Sequence, residues 1–447
     1  MFTEAHVGVA IGVGLQHQIE PQIVSDSAGG AIIAWRDFRD GNGAFYAQRV
    51  SGAGNVQWTK NGVAVSKRAS YQPYPEMISD DAGGAVFVWE DQPPGTIETD
   101  LYAQRIDSAG VLQWAGNAIP ISMAAGEQRD AEVVADGTGG AIICWIDRRS
   151  GSDWDIYAQR VNSRGSVLWT ADGVPVATAA NDQYQMEAIA DGAGGVIIVW
   201  TDLRSGTPDI YAQRMDDAGV VQWAANGIPI SAKAGTQYAP RIVPDGSGGA
   251  IIVWRDGASN DIYAQRVNGA GALQWVANGV PIVTAQAHAV LFHVIPSSAG
   301  GAFIVWEEDD TSLRGQWVDN AGNLLWADNK SLGNRRWHSP YGVVSDGFGG
   351  FIIEWTGTLI RSDLQFDDDE AIFARRVSGA GDIQWDIVVR YYEREWDQVA
   401  PRLISDQMGG AIIAFQRNYV ERFPRIEVKG SPDIYAHRVS ASGQLQW

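Results

Sequence analysis

The sequence predicts an all-β chain folded as a single eight-bladed β-propeller, with four antiparallel strands per blade and an N-terminal strand completing the last blade. Three observations predict it. A Gly-Gly turn recurs eight times at a near-constant interval, each copy holds four strand-length segments separated by glycine turns, and the two ends of the chain read as complementary parts of one strand.

The repeat is typified by Ser27-Ala28-Gly29-Gly30-Ala31-Ile32-Ile33-Ala34-Trp35. Equivalent Gly-Gly pairs begin at Gly29, Gly83, Gly139, Gly194, Gly248, Gly300, Gly349 and Gly409, at spacings of 54, 56, 55, 54, 52, 49 and 60 residues. Leucine-rich and helical solenoids have shorter or helix-patterned repeats. In copy four, strand A takes in Ala188-Ile189-Ala190 and ends in the turn Asp191-Gly192-Ala193-Gly194-Gly195. Strand B, Val196 to Asp202, is a continuous apolar run of the kind buried on both faces. Strand C is Asp209 to Met215. The turn Asp217-Ala218-Gly219 leads into strand D, which runs from Val220 through Trp223 to Ile230, with Asn226-Gly227 reading as a local bulge or kink in an outer strand that tolerates Pro229. Glycine in the A–B and C–D turns supplies the positive φ of tight hairpins. No segment sustains a 3.6-residue apolar period, so helices are not expected. The whole chain, 1–447, reads as one domain: residues 1–20 form the closing strand and loop, and blades begin near 21, 75, 131, 188, 240, 292, 341 and 401.

Closure is predicted from the termini. The sequence ends at Gln444-Leu445-Gln446-Trp447, partway through an eighth strand D, and begins with Val7-Gly8-Val9-Ala10-Ile11. Pro21 falls ten residues after Ile11, as Pro75 falls ten after Val65. The first strand is therefore expected to complete blade eight, tying it to blade one and removing two exposed sheet edges.

Composition narrows the class. Hydrophobic residues make up 45% of the chain, with 52 Gly and 19 Trp, which suits many tight turns around many aromatic packing positions. A net charge of −20 repels phosphate backbones and argues against nucleic acid as a partner. Cys144 stands alone inside an apolar run and reads as a small core residue, so no disulfide forms within the chain. No run of 18 apolar residues is present to span a membrane as a helix. Met1 to His6 lack the basic and apolar regions of a signal peptide.

The blade motif Gly-Gly-Ala-Ile-Ile-x-Trp-x-Asp…Asp-Ile-Tyr-Ala-Gln-Arg-Val resembles that of bacterial secreted or cell-surface β-propeller repeat proteins, and the resemblance extends along essentially the whole chain. It implies the fold and an extracellular or cell-surface location. Those proteins mostly have no known activity, so it implies no reaction. The repeat is not of sialidase type, since Ser25-Asp26 and Ser345-Asp346 are adjacent where that box needs one residue between them.

Five residue series recur. Trp closes strand B at Trp35, Trp89, Trp145, Trp200, Trp254, Trp306 and Trp355, with Phe415 in the eighth copy. A second Trp lies in strand D at Trp58, Trp114, Trp169, Trp223, Trp275, Trp326, Trp385 and Trp447. Positions filled alike in every blade serve packing between blades better than recognition. A strand-B Asp follows the Trp by two residues (Asp37, Asp91, Asp147, Asp202, Asp256). It is expected to pair with the Arg of the strand-C Gln-Arg doublets Gln48-Arg49, Gln104-Arg105, Gln159-Arg160, Gln213-Arg214 and Gln265-Arg266. Gln18, Gln72, Gln128, Gln185, Gln237 and Gln398 precede strand A, with Ala289 in copy six and His338 in copy seven. They read either as a ring near the channel mouth or as amide caps of the backbone.

Function is sought where the symmetry breaks. The A–B and C–D turns are short and uniform at one end of the disc. The B–C and D–A loops at the other end hold nearly all the length variation. Copies six to eight depart most. The candidate binding residues are Glu307 and Glu308 in copy six, Arg335, Arg336, Trp337 and His338 in its D–A loop, and Tyr391, Tyr392 and Trp396 after copy seven. Copy seven inserts Thr356 to Ala371, and copy eight inserts Arg417 to Arg425. Asp367, Asp368, Asp369 and Glu370 offer hard oxygen ligands for Ca²⁺. They lack the alternating spacing and glycine of a dedicated site and read as a solvated acidic loop, and no other cofactor is expected. The six His form no metal-ligand motif, and no nucleophile elbow or phosphate loop is present. The expectation is a non-enzymatic binding or scaffolding module of a bacterial surface or extracellular protein, holding a protein or glycan on the B–C/D–A loop face of blades six to eight. One alternative is a carbohydrate-active enzyme with paired carboxylates on that face. The other is a structural subunit of a surface assembly.

Overall fold

A computed structural model of the chain describes residues 8–447 apart from 15, 42, 67–74, 94, 117, 258–260, 285–288, 309–311, 335–340, 360–368, 390–395, 424–425 and 430, with the backbone alone at 289–291, 334, 341, 357–359, 369–370, 396–399, 419–423 and 426–429. Among the described residues, all the regular structure is β. Blade 1 comprises Gln18–Ser25, Ala31–Asp37, Ala44–Val50 and Val63–Ala64. Blade 4 comprises Gln183–Ala190, Val196–Asp202, Asp209–Met215 and Ile228–Ser231, hydrogen-bonded in sequence order. Eight sheets repeat this antiparallel order, and their innermost strands touch one another in cyclic succession, blade 8 back to blade 1. The molecule is an eight-bladed β-propeller. Among the described residues, no helix is long and apolar enough to cross a membrane.

The closing strand is Val9–Gly12. It pairs antiparallel with Asp433–Val439 of blade 8, Val9 opposite Ala436 and Ala10 opposite Tyr435. The core divides into eight apolar clusters, one at each junction between blades. The cluster joining blades 8 and 1 packs Ile11, Ile33 and Trp35 with Ile412, Ile434 and Ala436. Strand B is buried end to end, as in Ala141–Asp147, because both its faces meet neighbouring blades. Cys144 lies in that strand, and burial pushes its thiol pKa upward, as expected of a core residue.

A second system of contacts joins the blades at the end carrying the A–B and C–D turns. Asp191 shows the pattern. Its Oδ1 accepts from the Ala193 and Gly195 amides at 2.8 Å, which closes the A–B turn, and its Oδ2 takes Arg214 Nη2 at 2.8 Å. Arg214 then donates to the Gly269 carbonyl of blade 5 at 3.0 Å, and strand-D Trp223 donates to the same carbonyl at 3.1 Å. Burial alone would raise the Asp191 pKa, but the amides and Arg214 more than offset it and hold it below the usual carboxylate range. The same latch joins Arg49 and Asp26 to Ser108, Arg105 and Asp80 to Ser163, and Arg438 and Asp406 to Gly52. Trp447 also donates to Gly52, so blade 8 is latched to blade 1 in the same way as neighbouring blades elsewhere in the ring.

Each strand-D indole also lies beneath the C–D turn glycine of the next blade. A Cβ on Gly219 would sit 2.9 Å from Trp169, and one on Gly271 would sit 2.8 Å from Trp223. Only a residue without a side chain, at the positive φ those turns adopt, fits there. Both Trp series are therefore packing residues. The recurrent Arg partners the turn Asp and not the strand-B Asp, which corrects the expected pairing. The hairpin register explains why: Arg214 stands opposite Ile197 near the A–B turn, while Asp202 stands opposite Asp209 at the other end.

Three further differences from expectation concern strands. Asn226 and Gly227 both take positive φ, 62° and 87°, so this pair is a turn and not a bulge. Only Val221 bridges strand C before it, and the outer strand proper begins at Ile228. The segments inserted in copies seven and eight partly prolong the B–C hairpins. Strand B reaches Leu359 in blade 7 and Phe423 in blade 8, where Ile426–Lys429 folds back on Val420 to Phe423. These segments are rich in Thr, Leu, Tyr and Val, which favour extended backbone.

Candidate functional site

The B–C/D–A end begins where strand B leaves the core. Here the strand-B Asp finds its true partners. Asp202 accepts Trp200 Nε1 at 2.7 Å and Arg204 Nε at 2.8 Å, and the Arg204 guanidinium lies 3.9 Å from the Tyr211 ring centre. Arg204 also donates to the Asn226 carbonyl at 2.6 Å, bracing the strand-D turn. The same clasp forms around Asp37 with Arg39 and around Asp147 with Arg149. Burial opposes ionisation of Asp37, but its bonds from Arg39 and Trp35 prevail and lower its pKa. In blade 5, Lys233 takes the place of the arginine on Asp256, at 2.8 Å. In blade 6 the acid is Glu308, held by Arg314 Nε at 2.7 Å.

Glu307 and Glu308 therefore do not form a converging pair. They are successive residues of strand B and project to opposite faces, Glu307 fully buried and Glu308 bound to Arg314. Arg335, Arg336, Trp337, His338, Tyr391, Tyr392, Asp367 and Asp368 lie outside the described residues. Trp396 opens the inner strand of blade 8 opposite Tyr419, and Asp369 and Glu370 pair along the backbone with Leu359 and Thr358. Among the described residues, no three His, Cys, Asp or Glu side chains gather closely enough to hold a metal ion.

Of the glutamines before strand A, Gln18 and Gln128 act as caps, while the Gln237 side-chain amide bonds none of the described residues. Gln128 Nε2 donates to the Ala124 and Gly126 carbonyls at 3.0 Å, and Gln18 donates to the Gln16 carbonyl at 2.5 Å. In copy four the capping residue is Gln183, bonded to Ala179 and Asn181, and not Gln185. Gln185 instead sits two residues on, where the inner strand bulges into positive φ, and its side chain accepts the Ala239 amide of blade 5 at 3.0 Å. Gln72 lies outside the described residues, and Gln398 is described by its backbone alone.

A ring of unlike residues occupies one level of the inner strands. Gln22, Glu76, Glu132, Glu187, Arg241, His293, Gly342 and Arg402 hold the same register against strand B in blades 1 to 8. Glu187 accepts the Ile242 amide at 3.1 Å and pairs with Arg241. Glu132 has acidic neighbours on both sides. Burial among protein groups, then the charges of Glu76 and Glu187, push its pKa up to about 8, against the pull of Arg241. This ring escapes sequence reading because its positions share no residue type.

The described part of the loop face also holds an open pocket between blades 3 and 4, about 360 Å³ in volume. Its lining is Arg129, Asp130, Ile146, Trp154, Asp182, Tyr184 and Leu203. Trp154 ends the B–C loop of blade 3. Its amide donates to Asp182 Oδ1 at 3.0 Å and its carbonyl accepts the Gln183 amide at 2.7 Å, which fixes the indole at the pocket.

No family model matches the sequence, and no curated protein matches it. Among solved structures, the chain is similar to a periplasmic gluconolactonase of Pseudomonas aeruginosa at 15% identity, covering 77% of this chain and 91% of that one, with a TM-score of 0.46. It is also similar to a protein of unknown function from Dyadobacter fermentans at 11% identity, covering 97% and 98%, with a TM-score of 0.37. A fucose-specific lectin from Aleuria aurantia aligns at 13% identity over 72% of this chain and 97% of its own, with a TM-score of 0.39.

Proposed function

We propose that the chain is a non-enzymatic binding module of an extracellular or cell-surface protein, which holds a protein or glycan on its B–C/D–A loop face. The observation that carries this reading is the contrast between the two ends of the disc. At one end the recurring Asp, Arg and Trp are engaged in blade-to-blade latches. At the other, loop length and composition differ from blade to blade, and loops on a rigid scaffold are where recognition is free to vary. In sequence, blades 6 to 8 bring Arg335, Arg336, Trp337, His338, Tyr391, Tyr392 and Trp396 to that end, the residue types that anchor interfaces. The location rests on the blade motif. The splayed Glu307 and Glu308 weigh against glycoside hydrolysis, which needs two carboxylates facing one bond.

The test is to probe the purified protein against a glycan array and a panel of extracellular proteins, with Trp337→Ala, Tyr391→Ala and Trp396→Ala as comparisons. At least one ligand is expected to bind, to weaken tenfold or more in these variants, and to be released unchanged. Hydrolysis of a bound glycan that is lost in Glu308→Gln would overturn the reading. So would binding indifferent to all three substitutions.

A further inference from the structure

The pocket between blades 3 and 4 breaks the repeat in a way the fold does not require. The residue closing the B–C loop must offer a carbonyl to the next inner strand. Thr99, Pro208 and Pro432 do this in blades 2, 4 and 8, bonding the amides of Gln128, Gln237 and Gln18. In blade 3 the same bond is made by Trp154, whose indole is only partly buried against the core of blades 3 and 4. A large ring has been added where a proline or threonine suffices, and it forms a wall of an open pocket.

The polar lining decides what that pocket takes. The guanidinium carbons of Arg129 and Arg148 lie 5.2 and 5.5 Å from the Trp154 ring centre, so the indole already has its cations and a further cation would be repelled. Arg129 is held in place by Glu127. Asp130 and Asp182 bring two carboxylates to the same space, which disfavours an anion. Tyr184 adds an aromatic face and a hydroxyl, and Ile146 and Leu203 supply apolar surface. Aromatic faces together with both donors and acceptors suit a neutral ligand that has C–H faces and several hydroxyls. The volume is within the range of small-molecule sites.

We propose that this pocket is a saccharide subsite taking one or two neutral pyranose units. Trp154 and Tyr184 meet the C–H faces, Asp130 and Asp182 accept from hydroxyls, and Arg129 donates to ring or hydroxyl oxygens. The site shares with the proposed function only the end of the disc on which it lies, and uses none of the residues of blades 6 to 8.

Saturation-transfer NMR followed by calorimetry tests it, using the methyl glycosides of glucose, galactose, mannose and xylose together with maltose, cellobiose and lactose. At least one neutral probe is expected to bind, and to lose tenfold or more in affinity in Trp154→Ala and in Asp182→Asn. Glucuronate and glucosamine are expected to bind more weakly than their neutral parents. Should Trp154→Ala not fold, Asp130→Asn and Arg129→Gln alter exposed side chains and give the same readout. The proposal is overturned if no neutral probe binds, or if affinity is unchanged in all of these variants. Binding that survives them but is lost in Trp396→Ala would overturn this subsite and uphold the proposed function. The opposite pattern would uphold the subsite and count against the face of blades 6 to 8.

Discussion

The latch end of the propeller and the ring of inner-strand residues lining its axis are built on opposite principles. At the latch, one Asp, one Arg and one Trp solve the same problem at nearly every junction, and each charge has an opposite charge within hydrogen-bond reach. At the inner ring the eight equivalent positions hold Gln, three Glu, two Arg, His and Gly, and three acids sit on consecutive blades. Uniform positions can satisfy a constraint that every junction shares. Unlike positions answer to no such constraint, so their charges are free to be unfavourable for folding.

The core between the two ends of the disc gives the largest expected effect. Trp200 is fully buried and donates to Asp202. Trp200→Ala would leave a cavity and remove one partner of a buried carboxylate, and a loss of about 4 kcal/mol is expected by denaturant unfolding. A loss below about 1 kcal/mol would mean that the junction can repack around the vacancy, and that uniformity there is not a packing constraint.

Removing a latch charge should have the next largest effect. Arg214→Ala leaves the Asp191 carboxylate buried with only its two turn amides and takes one of the two donors from the Gly269 carbonyl of the next blade. A cost of about 3 kcal/mol is expected, most of it the penalty of the stranded charge. Arg204→Ala is the internal comparison, because Asp202 keeps the Trp200 indole and the Arg204 amide, and about 1–2 kcal/mol is expected there. Equal losses would erase the distinction between a contact that joins blades and one that braces a single blade. Blade 6 already departs from the pattern: Trp317 stands where the other blades have Arg and bonds Gly300 within its own A–B turn.

How much of this the sequence disclosed follows the same division. Blade number, strand order and ring closure were legible because they depend on repeated glycines and tryptophans. The latch partners were not. Arg214 and Asp202 lie on one hairpin, and sequence spacing does not reveal that they stand at opposite ends of it. Nor did spacing show that Gln183, rather than Gln185, is the cap, because the inner strand bulges at Gln185. The pocket did leave a signal. Of 19 Trp, the two repeat series leave only Trp154, Trp317, Trp337 and Trp396, so an off-series Trp marks blade 3 as well as blades 6 to 8. Blade 3 is otherwise a regular copy, so this signal stands against a uniform background.

The smallest expected effect is a gain, and it tests the inner ring. Folded Glu132 keeps its proton up to about pH 8, whereas a free glutamate releases it near 4.5. Between those values the folded state binds more protons than the unfolded state, so this residue contributes a loss of stability that grows as pH rises through the window and is complete above it. Glu76, Asp130 and Glu187 add to the repulsion it meets when ionised, and Arg241 relieves part of it. Glu132→Gln keeps the shape and removes the charge. It should match the wild type near pH 4 and exceed it by about 1–2 kcal/mol at pH 9, an effect smaller than the full shift because the ring is partly open to water. Parallel stability curves from pH 4 to 9 would show that the ring's acids are as well accommodated as those of the latch, and the contrast between the two regions would then lie in composition alone.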